Sequence, residues 1–390
     1  MIDIKFIREN KEKVKKGVLA KGVKVDIDKL LKIDNKRREL IKEVEGLKAE
    51  KNKLGKEFRS EAKKIKDKIK KLEPQLVEVE KEFNDLMFLI PNLPLDNLKK
   101  NKVIKKVGVA KKSGKDYLSL TDLIDVKRAS KVSGTRFGYL KGKVALLEIG
   151  LIQLAIDILK DFTFIIPPVM IKPKMMKAMG YTDRGGDEIY FFPKDNLNLI
   201  GTSEQSIGPM HADEILSDLP KRYLAFSTCF RREAGSYGKD TKGILRVHQF
   251  DKMEMFSFCK PEDSIKEHKY FLSLQEKLMK LLKIPYQVVQ MAGDDLGDPA
   301  AAKYDIESWM PGQKEYRETH STSNCTNFQA RRLNIKYRSK KGLEFIHTVN
   351  GTAFAMGRTI IAIIENYQQK DGTIKVPQVL QKYIKIKEIK

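Results

Sequence analysis

Two adjacent stretches near the start of the chain repeat their apolar residues at alternating intervals of four and three. The first sets Ile33, Leu40, Val44, Leu47, Leu54 and Phe58 on one seam, with Arg37 and Lys51 taking two seam positions. The second runs Ile65, Ile69, Leu72, Leu76, Val79, Phe83, Leu86 and Ile90 without interruption. A repeat near 3.5 residues marks helices that pair along a narrow stripe. Only a few residues, around Arg59 to Ala62, are left to join the two. The helices are therefore expected to fold back as an antiparallel coiled-coil arm over about 27–92. Pro74 lies inside the second helix and should kink or break it, because proline there loses a hydrogen bond and clashes one turn back.

Beyond the seam the pattern changes. Residues 91–116 carry Pro91, Pro94 and the run KKNKVIKKVGVAKKSGK, and read as a linker. Helical spacing returns over 146–159 and 264–282, and a buried helix is expected over 352–365, opening at Gly351. Apolar runs at 162–166, 197–200, 223–231 and 244–258 read as strands. Strands joined mostly by hairpins, with helices to one side, predict an α+β fold with an antiparallel sheet. Two domains are expected: residues 1–100 carrying the arm, and residues 101–390.

Composition narrows the class. The 390-residue chain carries a net charge of +24, the electrostatic footprint of a nucleic-acid binder. Its distribution says more than its total: basic residues dominate Lys48 to Lys71, whereas acids dominate Glu73 to Ile90. The arm should thus have a basic tip and an acidic base. No apolar run is long enough for a membrane span, and the charged start is unlike a secretory signal, so a cytoplasmic protein with no membrane partner is expected. Cys229, Cys259 and Cys325 are far apart and form no CxxC pair; they read as buried free thiols, with no zinc site expected.

The chemistry concentrates in FRREAGSYGKDTKGILRVHQFDKME, residues 230–254. It reads as a strand, a Gly-rich loop and a returning strand, with arginine entering and an aromatic plus an acid leaving. Those groups suit a nucleotide: a guanidinium for phosphate, a ring face for the base, carboxylates for amino groups. The segment resembles motif 2 of the class II aminoacyl-tRNA synthetases, specifically the seryl-tRNA synthetase version. SNCTNFQARR at 323–332, NGTAFAMGRTIIAIIENYQ at 350–368 (similar to motif 3) and FTFIIPPVM at 162–170 (similar to motif 1) agree with it. The resemblance runs from about residue 1 to 385.

The resemblance implies ATP-dependent activation of L-serine and its transfer to tRNA(Ser), also to tRNA(Sec), by a Mg²⁺-dependent homodimer. It implies that Arg231 holds the α-phosphate and the amino-acid carboxylate, and that Arg358 holds the γ-phosphate. Glu233, on Arg231's face if the strand continues, would accept from the adenine amino group, and Phe250 would stack on the purine. Glu318 and Ser321 would hold Mg²⁺ and ATP; Arg232, Thr319 and His320 complete the implied ATP set, although Arg232 should face the other way on a strand. Thr202, Ser203, Glu204, Glu254, Asn350 and Thr352, together with Arg231, would bind serine. Gly235, Gly238 and Gly243 would let a flap bend over ATP. Lys63, Lys64 and Lys66, on the basic tip, would meet tRNA phosphates.

Three positions depart from the family pattern: Asp161 stands where glycine is usual, Gly201 where proline is common, and His320 where a small hydroxylic residue is expected. Two other functions stay open at this level. One is a class II homologue that loads an amino acid onto a carrier protein. The other is a non-enzymatic RNA-binding or coiled-coil protein on a dead synthetase fold.

Overall fold

The structure, a computed structural model, describes residues 1–54, 58–96, 98–182, 186–234, 240 and 242–390. It divides into two compact units, Met1–Leu93 and Pro94–Lys390. Gly235 and Gly238 lie outside the described residues.

The first unit is helical. Short helices α1 (Ile4–Glu9) and α2 (Lys11–Ala20) precede long helices α3 (Ile27–Lys53) and α4 (Arg59–Leu89). Asp26 caps α3, its carboxylate accepting from the Lys29 N–H at 2.8 Å. At 27 and 31 residues, α3 and α4 run roughly 40 and 46 Å at 1.5 Å per residue. They pair as the heptads require, burying Ile33, Leu40 and Val44 on one side and Ile65, Ile69, Val79 and Phe83 on the other. Ion pairs Lys29–Glu82, Arg37–Glu80 and Lys48–Glu73 fix the antiparallel register. Arg37 occupies its seam position by laying its guanidinium over the Phe83 ring, 5.0 Å from the centroid. The heptad extends too far at one end: Phe58 is exposed. Helix α4 starts at Arg59, so Arg59 to Ala62 are its first turn rather than the connection. It also runs through Pro74 unbroken, which leaves a kink as the form the proline's effect can take there. A buried fork ties the unit together: Arg8 donates to both oxygens of Asp34 at 2.6 and 3.0 Å.

The second unit is built on one eight-stranded sheet. In chain order its strands are β1 (Lys102–Val107), β2 (Thr163–Ile165), β3 (Lys221–Phe230), β4 (Gln249–Cys259), β5 (Tyr286–Gln290), β6 (Ala302–Met310), β7 (Glu315–Thr326) and β8 (His347–Ala355). Their spatial order is β1-β5-β6-β7-β8-β4-β3-β2, antiparallel throughout except for the short parallel pair β2–β3. Helices α5 (Gly142–Ile158), α6 (Ser264–Leu282) and α7 (Met356–Tyr367) all contribute to the core on one face of the sheet, with Met253, Met255, Val349 and Phe354. The opposite face carries a second core around Tyr223, Ala225, Phe256 and Phe258, and beside that core it holds a site.

Three further expectations, in the second unit, need correction. Residues 91–116 are not only a linker: β1 pairs with β5 at the sheet edge. Thr352 lies on β8, and the helix begins only at Met356. The apolar run from Ile244 does not extend β4, which starts at Gln249. There Gly243 turns the chain at φ +76°, and the Ile244 N–H donates to the Tyr117 hydroxyl at 2.8 Å. A side chain at Gly243 would collide with that hydroxyl.

Candidate active site

Strand β4 presents alternate residues to this second face, and Phe250, Lys252 and Glu254 follow one another along it ahead of the packed Phe256 and Phe258. Two cavities open there. The larger, about 570 Å³, is lined by Thr202, Glu204, Arg231, Lys252, Glu254, Lys303, Ser321, Cys325 and Asn350, and by the loop 294–300. The smaller, about 80 Å³, is lined by Arg231, Glu233, Phe250, Lys252, Glu318, Thr319, Ser321, Thr352 and Arg358. Arg231, Lys252 and Ser321 border both. The arrangement is a base-sized slot beside a polar pocket, with a guanidinium at the junction.

In the larger cavity the polar groups are buried and interlocked. Glu254 lies opposite Thr352 across β4 and β8, and the Thr352 hydroxyl donates to its carboxylate at 3.2 Å. Lys252 donates to Thr202 Oγ1 at 2.6 Å and pairs with Glu254 Oε2 at 2.6 Å. Glu204 is buried with Oε1 unpartnered among the described residues, and burial, reinforced by Glu254, pushes its carboxyl up to about 8. Asn350 donates to the buried thiol of Cys325 at 3.6 Å. All three cysteines are buried free thiols. The loop carrying Thr202 is held from below, where the Gly201 N–H donates to Gln205 Oε1 at 2.8 Å, a bond that proline at 201 would forfeit. Gly201 also admits Arg231, whose Nε donates to the Gly201 carbonyl at 3.1 Å.

In the smaller cavity Arg231 lies 5.2 Å from the Phe250 ring centroid. Arg246 donates to Glu233 at 2.6 Å. Strand β3 ends at Phe230, so Glu233 reaches the cavity through a left-handed turn, φ +53°, rather than by strand alternation. Arg358, in the first turn of α7, donates to the Glu318 carbonyl at 2.8 Å and to its carboxylate at 3.2 Å. Residues 318 and 321 would fall on opposite faces of a regular strand. The register of β7 against β6 shifts between Ile306 and Glu307, and with Thr319 as the extra residue both Glu318 and Ser321 line the cavity. Despite desolvation, the nearby cations Lys303, Arg358 and Arg231 bring the Glu318 carboxyl down to about 2. An ionised carboxylate with a hydroxyl alongside is a hard-oxygen donor set that fits Mg²⁺.

Some positions in the implied site do not come together with the rest. Arg232 turns away, its guanidinium 5.8 Å from the Tyr190 ring. Ser203 is buried behind the loop against Ser227, Oγ to Oγ 2.7 Å. His320 is buried edge-on to Phe354, with burial pushing its imidazole down to about 4, and lines neither cavity. Thr319 borders the slot, but its hydroxyl is engaged by Ser308 at 2.8 Å. Asp161 accepts from Arg222 at 3.0 Å and Tyr270 at 2.7 Å, in a network that includes Glu267. Lys63, Lys64 and Lys66 are exposed on α4 in the first unit. The sequence motifs do not single out Lys252, although the two-residue alternation from Phe250 to Glu254 points to it. Lys303, half-buried and paired with Asp305 at 3.0 Å, gives no such signal.

The sheet and its paired cavities define a class II tRNA synthetase core, and residues 190–367 match the family model for the tRNA synthetase class II core domain (G, H, P, S and T). Residues 1–94 match the seryl-tRNA synthetase N-terminal domain. The chain belongs to the seryl-tRNA synthetase family. It is 44% identical to the serine–tRNA ligase of Dictyoglomus turgidum over 100% of this chain and 99% of that protein. The seryl-tRNA synthetase from Pyrococcus horikoshii, solved in complex with ATP, superposes with a TM-score of 0.92 at 38% identity, covering 100% and 99% of the two chains. The cytoplasmic serine–tRNA ligase from Naegleria fowleri, solved with AMP, gives 0.90 at 32%, with the same coverage.

Proposed function

We propose that this chain activates L-serine with ATP and transfers it to the 3′ end of tRNA(Ser), and to tRNA(Sec) as well. The observation that carries the reading is the position of Arg231, bordering both cavities at once. Serine lies in the larger cavity, its ammonium near Thr202, Glu204 and Glu254, its hydroxyl near Glu254 and Thr352. Adenine stacks on Phe250, a contact worth about 1–3 kcal/mol for a base on an aromatic ring. The serine carboxylate then faces the α-phosphate across Arg231. Its oxygen attacks phosphorus, the bond to pyrophosphate breaks, and the guanidinium balances the charge that develops. In the second step the ribose hydroxyl of the terminal adenosine attacks the acyl carbon and AMP leaves.

Arg358 faces the distal phosphates, supported by the positive end of α7. Glu318 and Ser321 would hold Mg²⁺, which offsets polyphosphate charge when bound; Arg358 would then release the Glu318 carboxylate. Lys63, Lys64 and Lys66 contact tRNA phosphates. Two copies associate through the motif 1 region, where Leu146 and Ile149 of α5, with Phe164 and Ile166, are apolar yet exposed. No helix among the described residues is long and apolar enough to cross a membrane; we assign the enzyme to the cytoplasm.

The test is ATP–pyrophosphate exchange with each standard amino acid, followed by charging of total tRNA. Serine should stimulate exchange far above the others and be found esterified to tRNA. Stimulation by threonine or alanine above serine would overturn the pocket assignment. Exchange without tRNA charging would favour a carrier protein as acceptor.

A further inference from the structure

Lys252 takes no part in the chemistry proposed for the site, yet it lines both cavities and its ammonium is engaged by groups of the larger one. It donates to Thr202 at 2.6 Å and to Glu254 at 2.6 Å, and its side chain is only 7% exposed. These are oxygens that an incoming amino acid needs for its own ammonium and hydroxyl. A second ammonium cannot share them with the first without like-charge repulsion in a desolvated site.

We propose that Lys252 is a placeholder cation: it holds the substrate's ammonium position until substrate arrives, then yields it and turns to the substrate's carboxylate beside Arg231. The inference rests on the larger cavity being the serine site. A lysine is suited to the exchange, being a compact charge on a flexible four-carbon stem. The destination is within the same site, because Lys252 and Arg231 border both cavities. Charge stays balanced throughout. One ammonium replaces another at Glu254, and the displaced lysine meets the anion that the same ligand brings. Glu204 fits this picture, since burial and the neighbouring Glu254 favour its protonated form, leaving one carboxylate for one lysine. The consequence is selectivity for the zwitterion: a ligand with an ammonium but no carboxylate would strand Lys252 beside a like charge.

Ethanolamine is that ligand, keeping serine's ammonium and hydroxyl and lacking its carboxylate. Calorimetric binding of serine and ethanolamine to the wild-type chain and to Lys252→Gln tests the idea. The glutamine amide can still bridge Thr202 and Glu254 without a charge. Serine should bind the variant about tenfold more weakly, whereas ethanolamine should bind it about tenfold more tightly, on the scale of a desolvated charge pair. Ethanolamine binding that is unchanged or weaker in the variant would overturn the proposal and leave Lys252 a fixed support. A second measurement needs only the wild-type chain: saturating sodium formate, supplying a free carboxylate, should tighten ethanolamine binding several-fold over equal sodium chloride. Equal binding in the two salts would overturn the proposal too. Failure of the wild-type chain to bind serine at all would instead overturn the assignment of the cavity.

Discussion

Arg231 borders both cavities, and on the proposed reading it lies where carboxylate and phosphate meet. Arg231→Ala should lower serine-dependent exchange by about 10²–10³-fold, the usual scale for removing a donor aimed at developing charge. Steady-state exchange kinetics would show the loss mainly in kcat, and a change confined to KM would contradict it. Glu204 gives a second test, through pH. Its carboxyl, pushed up to about 8 mainly by burial, stays protonated in the folded chain over a range where the unfolded chain releases that proton. The stability it contributes is therefore present at low pH and lost as pH rises through about 8. Glu204→Gln cannot ionise, so its melting temperature relative to wild type should climb from pH 5 to pH 9. A difference that does not change with pH would contradict this assignment. Gly243 is the third case: Gly243→Ala forces a Cβ into the Tyr117 hydroxyl and should destabilise the chain and the smaller cavity together.

At the scale of elements, Pro74 makes the sharpest prediction. Because α4 continues through it, the helix lacks one backbone hydrogen bond there. Pro74→Ala should raise arm stability by about 1–3 kcal/mol, read as a higher midpoint in a circular-dichroism melt; no gain would mean that the chain around 74 is not helical. The heptads made this arm legible because paired helices bury one narrow stripe and little else decides their packing. Helix α6 was legible to the residue, Ser264 to Leu282, for a similar reason. Strand β1 was not: it sits at the sheet edge with five of its six residues exposed, and its lysines read as linker. Strand β8 is central and buried on both faces, so its apolar run could not be told from a buried helix. Motif resemblance pointed to Arg231, Phe250, Glu254 and Arg358, which the fold brings together. It also drew in Arg232, Ser203 and His320, neighbours in sequence that turn toward other surfaces. The shift that brings Glu318 and Ser321 together depends on the partner strand, so no local pattern announces it.

At the scale of the whole molecule, the proposed reading gives the two units separable tasks: RNA contact in the first, chemistry in the second. Replacing Lys63, Lys64 and Lys66 together by alanine should raise the KM for tRNA and leave serine-dependent exchange unchanged. The dependence of log binding constant on log salt should also flatten by about 2 to 3, up to ~0.9 for each phosphate no longer neutralised. An equal fall in exchange would contradict that division. The proposed reaction places both of its steps at the junction of the two cavities, and a crystal structure with a non-hydrolysable seryl-adenylate analogue tests this most directly. The base should lie on Phe250, the seryl group beside Thr202 and Glu254, and the Arg231 guanidinium should bridge the carbonyl and phosphate oxygens between them. An analogue bound with Arg231 and Phe250 turned away from it would contradict the assignment of the whole site.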